Sequence, residues 1–242
     1  LEVASSLRAR GVAVHVVGPE EVPMARILGE QLGSFIRSTH ERHGVIFHLG
    51  QSATAIDTDA VILADGSRIE ADLVVIGIGV RPATSLAEAA GLEMDRGVVV
   101  DQYLETSAPG VFAAGDIARW PDPRSGTQIR VEHFVVAERQ GQTAARNMLG
   151  RREAFDAVPF FWTEQHDFGL TYVGHADEWD EVRIDGSIAE RDCSVTYLRE
   201  GRKLAVAVIH RDLEGLRAEV EFERSIASPA ERAPARELGE VA

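Results

Sequence analysis

The first fifty residues alternate between helical and extended patterns, and this alternation constrains the fold more than any other feature of the chain. Residues 1–10 repeat apolar side chains at helical spacing and are followed by glycine. A short, continuous, β-branched run at 12–17 then predicts a buried strand. A second helix at 27–43 and a second strand at 45–49 repeat the unit, so we expect a parallel sheet covered by helices.

The later sequence predicts antiparallel structure. Asp65-Gly66 lies between two extended runs and indicates a hairpin, after which the apolar run 73–78 predicts a strand that returns to the central sheet. Strand patterns across 168–209, joined near their end by the turn Glu200-Gly201, predict a separate antiparallel unit. The chain is therefore expected to combine an α/β part with an α+β C-terminal part.

Composition and spacing exclude several classes of protein. The net charge of −14 argues against general nucleic-acid binding, and no apolar run approaches the ~18 residues of a membrane span. Cys193 is the single cysteine, which excludes an internal disulfide and favours a cytoplasmic, reducing location. His15 and His48 are not spaced as metal ligands, and His40 and His43 are interpreted as a solvated helix face. We therefore predict no metal site.

The segment TSAPGVFAAGD, residues 106–116, ends an apolar strand pattern at 111–114 on a glycine and a carboxylate. Open α/β sheets bind ligands at the carboxyl ends of their strands. Gly115 would let a ligand approach the backbone, and Asp116 could accept hydrogen bonds from ligand hydroxyls. From the residues alone, an Asp that caps the following turn is the alternative.

This segment resembles the second flavin-binding motif of the two-dinucleotide-domain flavoprotein reductases, in which the Asp holds the ribityl and pyrophosphate side of FAD. The segment LVVIGIGVRP, residues 73–82, resembles the crossing from the NAD domain back to the FAD domain. The resemblance implies three cofactor-binding residues in this crossing: Gly77, Ile78 and Gly79.

Two more segments resemble the same family. VEHF at 131–134, followed by Ala-x-x-Gln-Gly at 137–141, resembles the helix whose N-terminus faces the flavin ring. A helix N-terminus there would stabilise negative charge on a reduced flavin. PFFWTEQ at 159–165 resembles the entry to the C-terminal domain, whose aromatic side chains pack beside the flavin. The flavin-binding residues implied by these segments are Glu132, His133, Phe134 and Trp162.

Together the motifs are similar to the pyridine nucleotide-disulfide oxidoreductase family, in its ferredoxin-reductase and apoptosis-inducing-factor-like branch. The resemblance implies a Rossmann-like, truncated two-dinucleotide-domain fold with an antiparallel C-terminal reductase domain. Its expected parts are an NAD(P)-binding domain without its first strand and glycine turn at 1–80, the second FAD segment at 81–153, the C-terminal domain at 154–227 and a tail at 228–242.

The resemblance also implies roles for two glutamates. In the family the glycine-rich NAD turn immediately precedes a Leu-Glu pair, so Glu2 is the candidate catalytic residue, near nicotinamide and flavin N5 and paired with a Lys outside this sequence. A solvated helix Glu is the alternative. Glu20, after the first strand, is the candidate for the adenosine ribose hydroxyls, and NADH is therefore favoured over NADPH.

The implied function is an FAD-dependent reductase that passes electrons from NAD(P)H to a ferredoxin or Rieske-type iron-sulfur protein, as a monomer or homodimer, with the 242-residue chain alone inactive. Residues 119–152 hold seven Arg against three acidic residues, which predicts a docking surface for an acidic carrier that includes Arg124 and Arg130. Arg residues that only balance nearby acids are the alternative. A peroxide or disulfide reductase and a non-catalytic binding protein are the alternative functions.

Overall fold

The computed structural model describes residues 1–226, which form two compact units. The first unit contains residues 1–81 and 161–215, and the second contains residues 82–160 and the stretch that begins at Leu216. The tail predicted at 228–242 lies outside the described residues. None of the helices within residues 1–226 combines the length and the apolar character that a bilayer crossing requires.

Helices and strands occupy most of the described chain. In chain order they are α1 (Glu2–Ala9), β1 (Val14–Gly18), α2 (Ala25–Arg42), β2 (Val45–Leu49), β3 (Ala53–Ile56), β4 (Ala60–Leu63), β5 (Arg68–Glu70), α3 (Ser85–Ala89), β6 (Val98–Val99), β7 (Ala118–Pro121), β8 (Gln128–Ile129), α4 (Phe134–Met148), β9 (Phe160–Gln165), β10 (Phe168–Gly174), β11 (Glu181–Ser187), β12 (Asp192–Arg199), β13 (Arg202–Ile209) and α5 (Asp212–Arg224). A single 3₁₀ turn lies at Gly115–Ile117.

The parallel pair predicted from the first fifty residues is present. β1 and β2 pair in parallel, with Val14 opposite Val45, and the two valines share a small core with Ala4 of α1. β-branched residues fit a pleated, buried surface, and the helix covers the pair with its one apolar stripe. The parallel pair and its covering helix therefore confirm, for this part of the chain, the α/β fold class that the sequence predicted.

Helix α2 contains a break at Gly29, whose φ of 78° and ψ of 167° lie outside the helical region. Glycine adopts such a positive φ without the steric cost that a side chain would add. The buried Tyr197 hydroxyl donates to the Leu28 carbonyl at 2.8 Å and so satisfies an acceptor beside the break. The break is thus matched by a specific donor from β12.

The hairpin predicted at Asp65-Gly66 is confirmed, since β4 and β5 pair antiparallel on either side of it. The prediction of a strand at 73–78 was wrong. Residues 73–78 form no strand, and Leu73, Val75 and Ile76 are exposed. A strand requires backbone partners in a neighbouring strand, and the described residues place none beside this run.

The antiparallel unit predicted from the later sequence is a five-stranded sheet in the order β11-β12-β13-β10-β9. Its strands β12 and β13 carry runs of consecutive buried residues, and one face of the sheet packs against α2 in one core. Phe35 of α2 meets Phe168 of β10 edge to face at 5.2 Å between ring centroids. Cys193 is buried on β12, and Trp179 packs against Tyr197.

The second unit is built around a small three-stranded sheet and helix α4. β6 runs parallel to β7, and β7 runs antiparallel to β8. Trp120 lies in the core of this sheet beside Phe155 and Val136. The strand expected at 111–114 was wrong: this segment forms one isolated bridge, between Phe112 and Glu105, before the 3₁₀ turn.

Candidate functional site

The turn at Gly115 is tied to helix α4 by a buried hydrogen bond. The Gly115 N–H donates to Gln140 Oε1 at 2.7 Å, and Gln140 is fully buried in α4. Gly115 has a φ of +80°, and a Cβ added there would lie 3.4 Å from the Ala137 Cβ. The backbone conformation therefore favours a glycine at this position, directly against helix α4.

Asp116 has its backbone held and its carboxylate open to solvent. Its carbonyl accepts a hydrogen bond from Arg130 at 2.8 Å, and the same guanidinium nitrogen pairs with Glu132 at 2.8 Å. The Asp116 side chain is exposed, and its carboxylate has no hydrogen-bonding partner within residues 1–226. The turn thus presents a free carboxylate from a fixed backbone, which suits an acceptor of ligand hydroxyls.

Helix α4 begins directly beside this turn. Its N-cap residue is His133, which has extended backbone angles and makes no capping hydrogen bond through its side chain. The N–H groups of a first helical turn have no partner inside the helix and carry partial positive charge. Phe134, the first helical residue, is 80% exposed. Gly115, Asp116, Glu132, His133 and Phe134 are therefore brought together in the second unit.

Glu2 lies in the first turn of α1, in the first unit. Its Oε1 accepts a hydrogen bond from the Thr163 hydroxyl of β9 at 2.6 Å, while the residue as a whole remains exposed. One face of the carboxylate is thus held by the protein and the other is open. Sequence reasoning missed Thr163 because it treated this segment of the chain as an aromatic motif and not as a strand.

Glu20 lies in the loop after β1, at the carboxyl end of the strand. The Glu20 carbonyl accepts from the Gly50 N–H at 3.2 Å, and the Gly18 carbonyl accepts from the Gln51 N–H at 3.1 Å. The Glu20 carboxylate lies beside Gly18, where an added Cβ would be 3.3 Å from Glu20 Oε2. These contacts fix the loop at the edge where open α/β sheets bind their ligands.

The remaining candidates are solvent-facing. Gly77 and Gly79 have nothing within 4 Å of an added Cβ, and Ile78 is 92% exposed. Trp162 is half-exposed on β9, on the side opposite the buried Thr163. All four residues lie in the first unit with Glu2 and Glu20.

The interpretation of His40 as a solvated helix residue was wrong. His40 is fully buried, donates through Nε2 to Gln165 Oε1 at 2.8 Å, and meets His166 Nε2 through Nδ1 at 3.0 Å. Burial lowers the pKa of His40, because a charged imidazole there loses its hydration. His43 stacks on His166 with ring centroids 4.0 Å apart. Apolar spacing could not reveal this cluster, because His166 comes from a turn far away in the sequence.

The arginines of residues 119–152 are mostly neutralised, in agreement with the alternative that they balance nearby acids. Five of the seven form ion pairs within 4 Å, namely Arg119 with Asp95, Arg124 with Asp122, Arg130 with Glu132, Arg139 with Glu219 and Arg146 with Glu153. Arg124 also donates to two backbone carbonyls, and its side chain is 10% exposed. Arg124 and Arg130 are therefore paired charges, and the docking surface that includes them stays a prediction.

Within residues 1–226, no group of three His, Cys, Asp or Glu side chains is arranged to hold a metal ion.

The parallel α/β pair, the glycine-carboxylate turn beside a helix N-terminus and the antiparallel C-terminal sheet define an α/β protein with an added sheet domain. The chain belongs to the pyridine nucleotide-disulphide oxidoreductase family, whose model matches residues 1–141, and a reductase C-terminal model matches residues 160–241. The family and the fold class predicted from the sequence are both confirmed.

Two curated proteins that are similar to this chain are named as reductases. The chain is 37% identical over 218 residues to the ferredoxin reductase subunit of a 5,5'-dehydrodivanillate O-demethylase from Sphingobium sp., covering 87% of this chain and 53% of that protein. It is 33% identical over 221 residues to putidaredoxin reductase from Pseudomonas putida, covering 88% and 52%. The chain thus spans about half the length of the curated relatives it matches.

A solved structure shows the same architecture. The covalent complex of putidaredoxin reductase with putidaredoxin superposes with a TM-score of 0.88 at 31% identity, covering 95% of this chain and 57% of that one.

Family membership implies FAD and a pyridine nucleotide as cofactors. The residues present fit the flavin. The Asp116 carboxylate is open to accept from hydroxyls, and the first turn of α4 offers N–H donors to an anion.

Proposed function

We propose that the chain forms part of an FAD-dependent oxidoreductase that passes electrons from NADH to a ferredoxin or Rieske-type iron-sulfur protein. The observation that carries the proposal is the open Asp116 carboxylate on a backbone clamped by Gln140 and Arg130, beside the N-terminus of α4. In this proposal Gly115 and Asp116 hold the flavin, and residues 132–134 line it. Trp162 and the segment 77–79 stay candidate cofactor-binding residues in this proposal.

The nicotinamide side of the proposal rests on Glu2 and Glu20. Glu2 presents an anchored carboxylate at the start of α1 as the catalytic residue. Glu20 lies at the carboxyl end of β1 and supplies an acceptor for the adenosine ribose hydroxyls, which supports NADH over NADPH. When bound, the flavin accepts a hydride and returns electrons singly. The assignment of 1–80 to nucleotide binding, 81–153 to the flavin and 154–227 to the C-terminal domain belongs to the same proposal.

The identity of the electron acceptor is supported by the relatives. Two curated relatives that match most of this chain are reductase components named for ferredoxin or putidaredoxin, and the superposed structure holds putidaredoxin covalently bound. We therefore favour an iron-sulfur carrier, and we place the reaction in the cytoplasm.

The test is made on the full-length protein. We expect it to purify with FAD, to be reduced by NADH in preference to NADPH, and to reduce a [2Fe–2S] ferredoxin under anaerobic conditions. A protein that is reduced by NADH but transfers electrons to hydrogen peroxide or a disulfide, and not to the ferredoxin, would contradict the proposed acceptor. A protein that binds no flavin would contradict the proposal as a whole.

A further inference from the structure

Strand β9 places two polar side chains on its buried face. Thr163 is 6% exposed and Gln165 is 2% exposed. Trp162, which precedes them, and Glu164, which lies between them, face solvent. Burying a hydroxyl or an amide costs free energy unless each group is hydrogen-bonded. The two side chains are hydrogen-bonded to one another: Gln165 Nε2 donates to Thr163 Oγ1 at 3.0 Å. The hydrogen bonds of this pair continue in two directions.

The hydrogen bonds that pass through β9 all point the same way. An amide oxygen can only accept, so His40 Nε2 donates to Gln165 Oε1, and the neutral ring then accepts through Nδ1 from His166 Nε2. The Gln165 amide donates to Thr163, and Thr163 donates to the Glu2 carboxylate. We call the residues His166, His40, Gln165 and Thr163 the donor chain. The last acceptor of the donor chain is the Glu2 carboxylate, which carries a charge.

Aligned hydrogen bonds polarise one another in a poorly hydrated interior, and a bond to an ionised acceptor is stronger than one between neutral groups. The alignment requires a neutral His40, because a protonated ring would donate from both nitrogens. Burial lowers the pKa of His40, the hydrogen bond to Gln165 acts in the opposite direction, and His43 adds a smaller lowering. Burial also lowers the pKa of His166 to about 4, and His40, His43 and Arg8 act in the same direction against Asp167. Both rings are therefore neutral at neutral pH.

The position of Glu2 gives the donor chain a task beyond packing. Glu2 is an exposed residue in a first helical turn, where a free side chain would sample several rotamers. We propose that the donor chain positions the Glu2 carboxylate for nicotinamide, with Thr163 holding Oε1 and leaving Oε2 open. This inference rests on the proposed function and makes Thr163, Gln165 and His40 positioning residues that act through Glu2.

Five variants of the full-length flavoprotein test the inference. Thr163→Val removes the hydroxyl at nearly constant volume, whereas Thr163→Ser keeps the hydroxyl and removes only the methyl group. Thr196→Val is the matched control, since Thr196 lies in β12 of the same sheet and takes no part in the donor chain. Glu2→Gln removes the charged acceptor, and the fifth variant combines Glu2→Gln with Thr163→Val. The first measurement is the anaerobic rate at which NADH reduces the bound FAD, followed by absorbance.

We expect Thr163→Val to slow flavin reduction by about 10- to 100-fold, the range that misplacement of a reacting group produces. Thr163→Ser should recover most of the rate, and Thr196→Val should match the wild type. The double variant should be no slower than Glu2→Gln alone, because Thr163 acts only through Glu2.

The second measurement is made without the nucleotide. In ¹⁵N-labelled protein, the His40 Nε2–H proton resonance should move upfield in both Glu2→Gln and Thr163→Val, and stay in place in Thr196→Val. If Thr163 had a purely structural role, the Glu2→Gln substitution would not change the His40 Nε2–H resonance. Glu2→Gln keeps every packing group, so this measurement holds even where Thr163→Val unfolds.

The outcomes separate the inference from the proposed function. A normal reduction rate in Thr163→Val together with a slow Glu2→Gln, additive effects in the double variant, or an unmoved His40 resonance would overturn the positioning role and leave the proposed function intact. A wild-type flavin that NADH does not reduce, or a Glu2→Gln protein as fast as the wild type, would instead refute the proposed function or the place of Glu2 in it.

Discussion

Gln140 accepts the Gly115 N–H at 2.7 Å across 25 residues of sequence, and this bond joins the glycine-carboxylate turn to the middle of helix α4. The bond is buried and uses Gln140 Oε1, whereas Gln140 Nε2 has no hydrogen-bonding partner within residues 1–226. Gln140 therefore lies in the interior with Gly115 as its hydrogen-bonding partner. A buried amide is costly in a helix interior unless it has a specific role, and here that role is to hold the turn.

Replacing Gln140 with Leu should loosen the turn. The Gly115 N–H would lose its acceptor while remaining buried, which costs about 1–3 kcal/mol. We expect a lower free energy of unfolding in urea and faster loss of FAD from the full-length protein. Gln142→Leu is the matched control, since Gln142 is exposed two residues further along the same helix. Equal losses in the two variants would mean that the Gly115 bond contributes nothing specific.

Replacing Asp116 with Ala should separate flavin binding from stability. The carboxylate is exposed and has no partner within the described chain, so its loss should change the free energy of unfolding of the flavin-free protein by less than about 0.5 kcal/mol. A hydrogen bond between a charged group and a ligand contributes roughly 1.5–3 kcal/mol. We therefore expect FAD affinity to fall by about 10- to 100-fold.

The measurement is the flavin dissociation constant of the full-length protein, by titration of the apoprotein. Glu138→Ala removes another exposed carboxylate, from helix α4, and serves as the control. If Asp116→Ala retains FAD as the wild type does, the assignment of this motif to the flavin is wrong.

Arg124 should behave as a structural residue. It pairs with Asp122 at 2.5 Å, and the Asp122 side chain is only 4% exposed. Arg124→Glu would leave two carboxylates together in a buried site, and breaking a buried pair costs about 3–5 kcal/mol. We expect a large loss of stability in urea unfolding. Arg151→Glu, at an exposed position beyond α4, should stay within about 0.5 kcal/mol of the wild type. Comparable stabilities for the two variants would restore a surface role for Arg124.

The sequence predicted most elements of this fold because their patterns are local. α2, β2 and the hairpin at Asp65-Gly66 each depend on spacing or turn residues within a few positions. The segments 73–78 and 111–114 also have strand composition, yet neither forms a strand. The reason is that a strand needs a hydrogen-bonding neighbour, and local composition carries no information about that neighbour.

The candidate site shows the same division. Gly115 and Asp116 were recognisable because a family motif keeps them adjacent, whereas their supports, Gln140 and Arg130, were not predicted as such. Arg130 was counted as surface charge, because a sum of charges over a window ignores which acids lie opposite each guanidinium. Thr163 and His40 are 123 residues apart in the sequence, and only the packing of β9 on α2 brings them into one hydrogen-bonded chain.

The stability of the protein should decline in mild acid because of His166 and His40. The pKa of His166 is lowered to about 4 by burial and by the neighbouring His40, His43 and Arg8, and that of His40 is lowered as well. The unfolded chain binds protons on these rings near their ordinary value of about 6.5. Between about pH 6.5 and 4 the unfolded state therefore holds more protons than the folded state. Stability is complete above this window and falls as the pH falls through it.

The measurement is the free energy of urea unfolding at several values between pH 7.5 and 4.5. His166→Asn removes the titrating ring and should flatten part of this dependence. His210→Asn is the matched control, because His210 is exposed and has the same left-handed φ of 54°, so that any backbone effect of the substitution is shared. The control should keep the wild-type slope. A His166→Asn protein with an unchanged slope would show that His166 does not titrate differently in the folded and unfolded states.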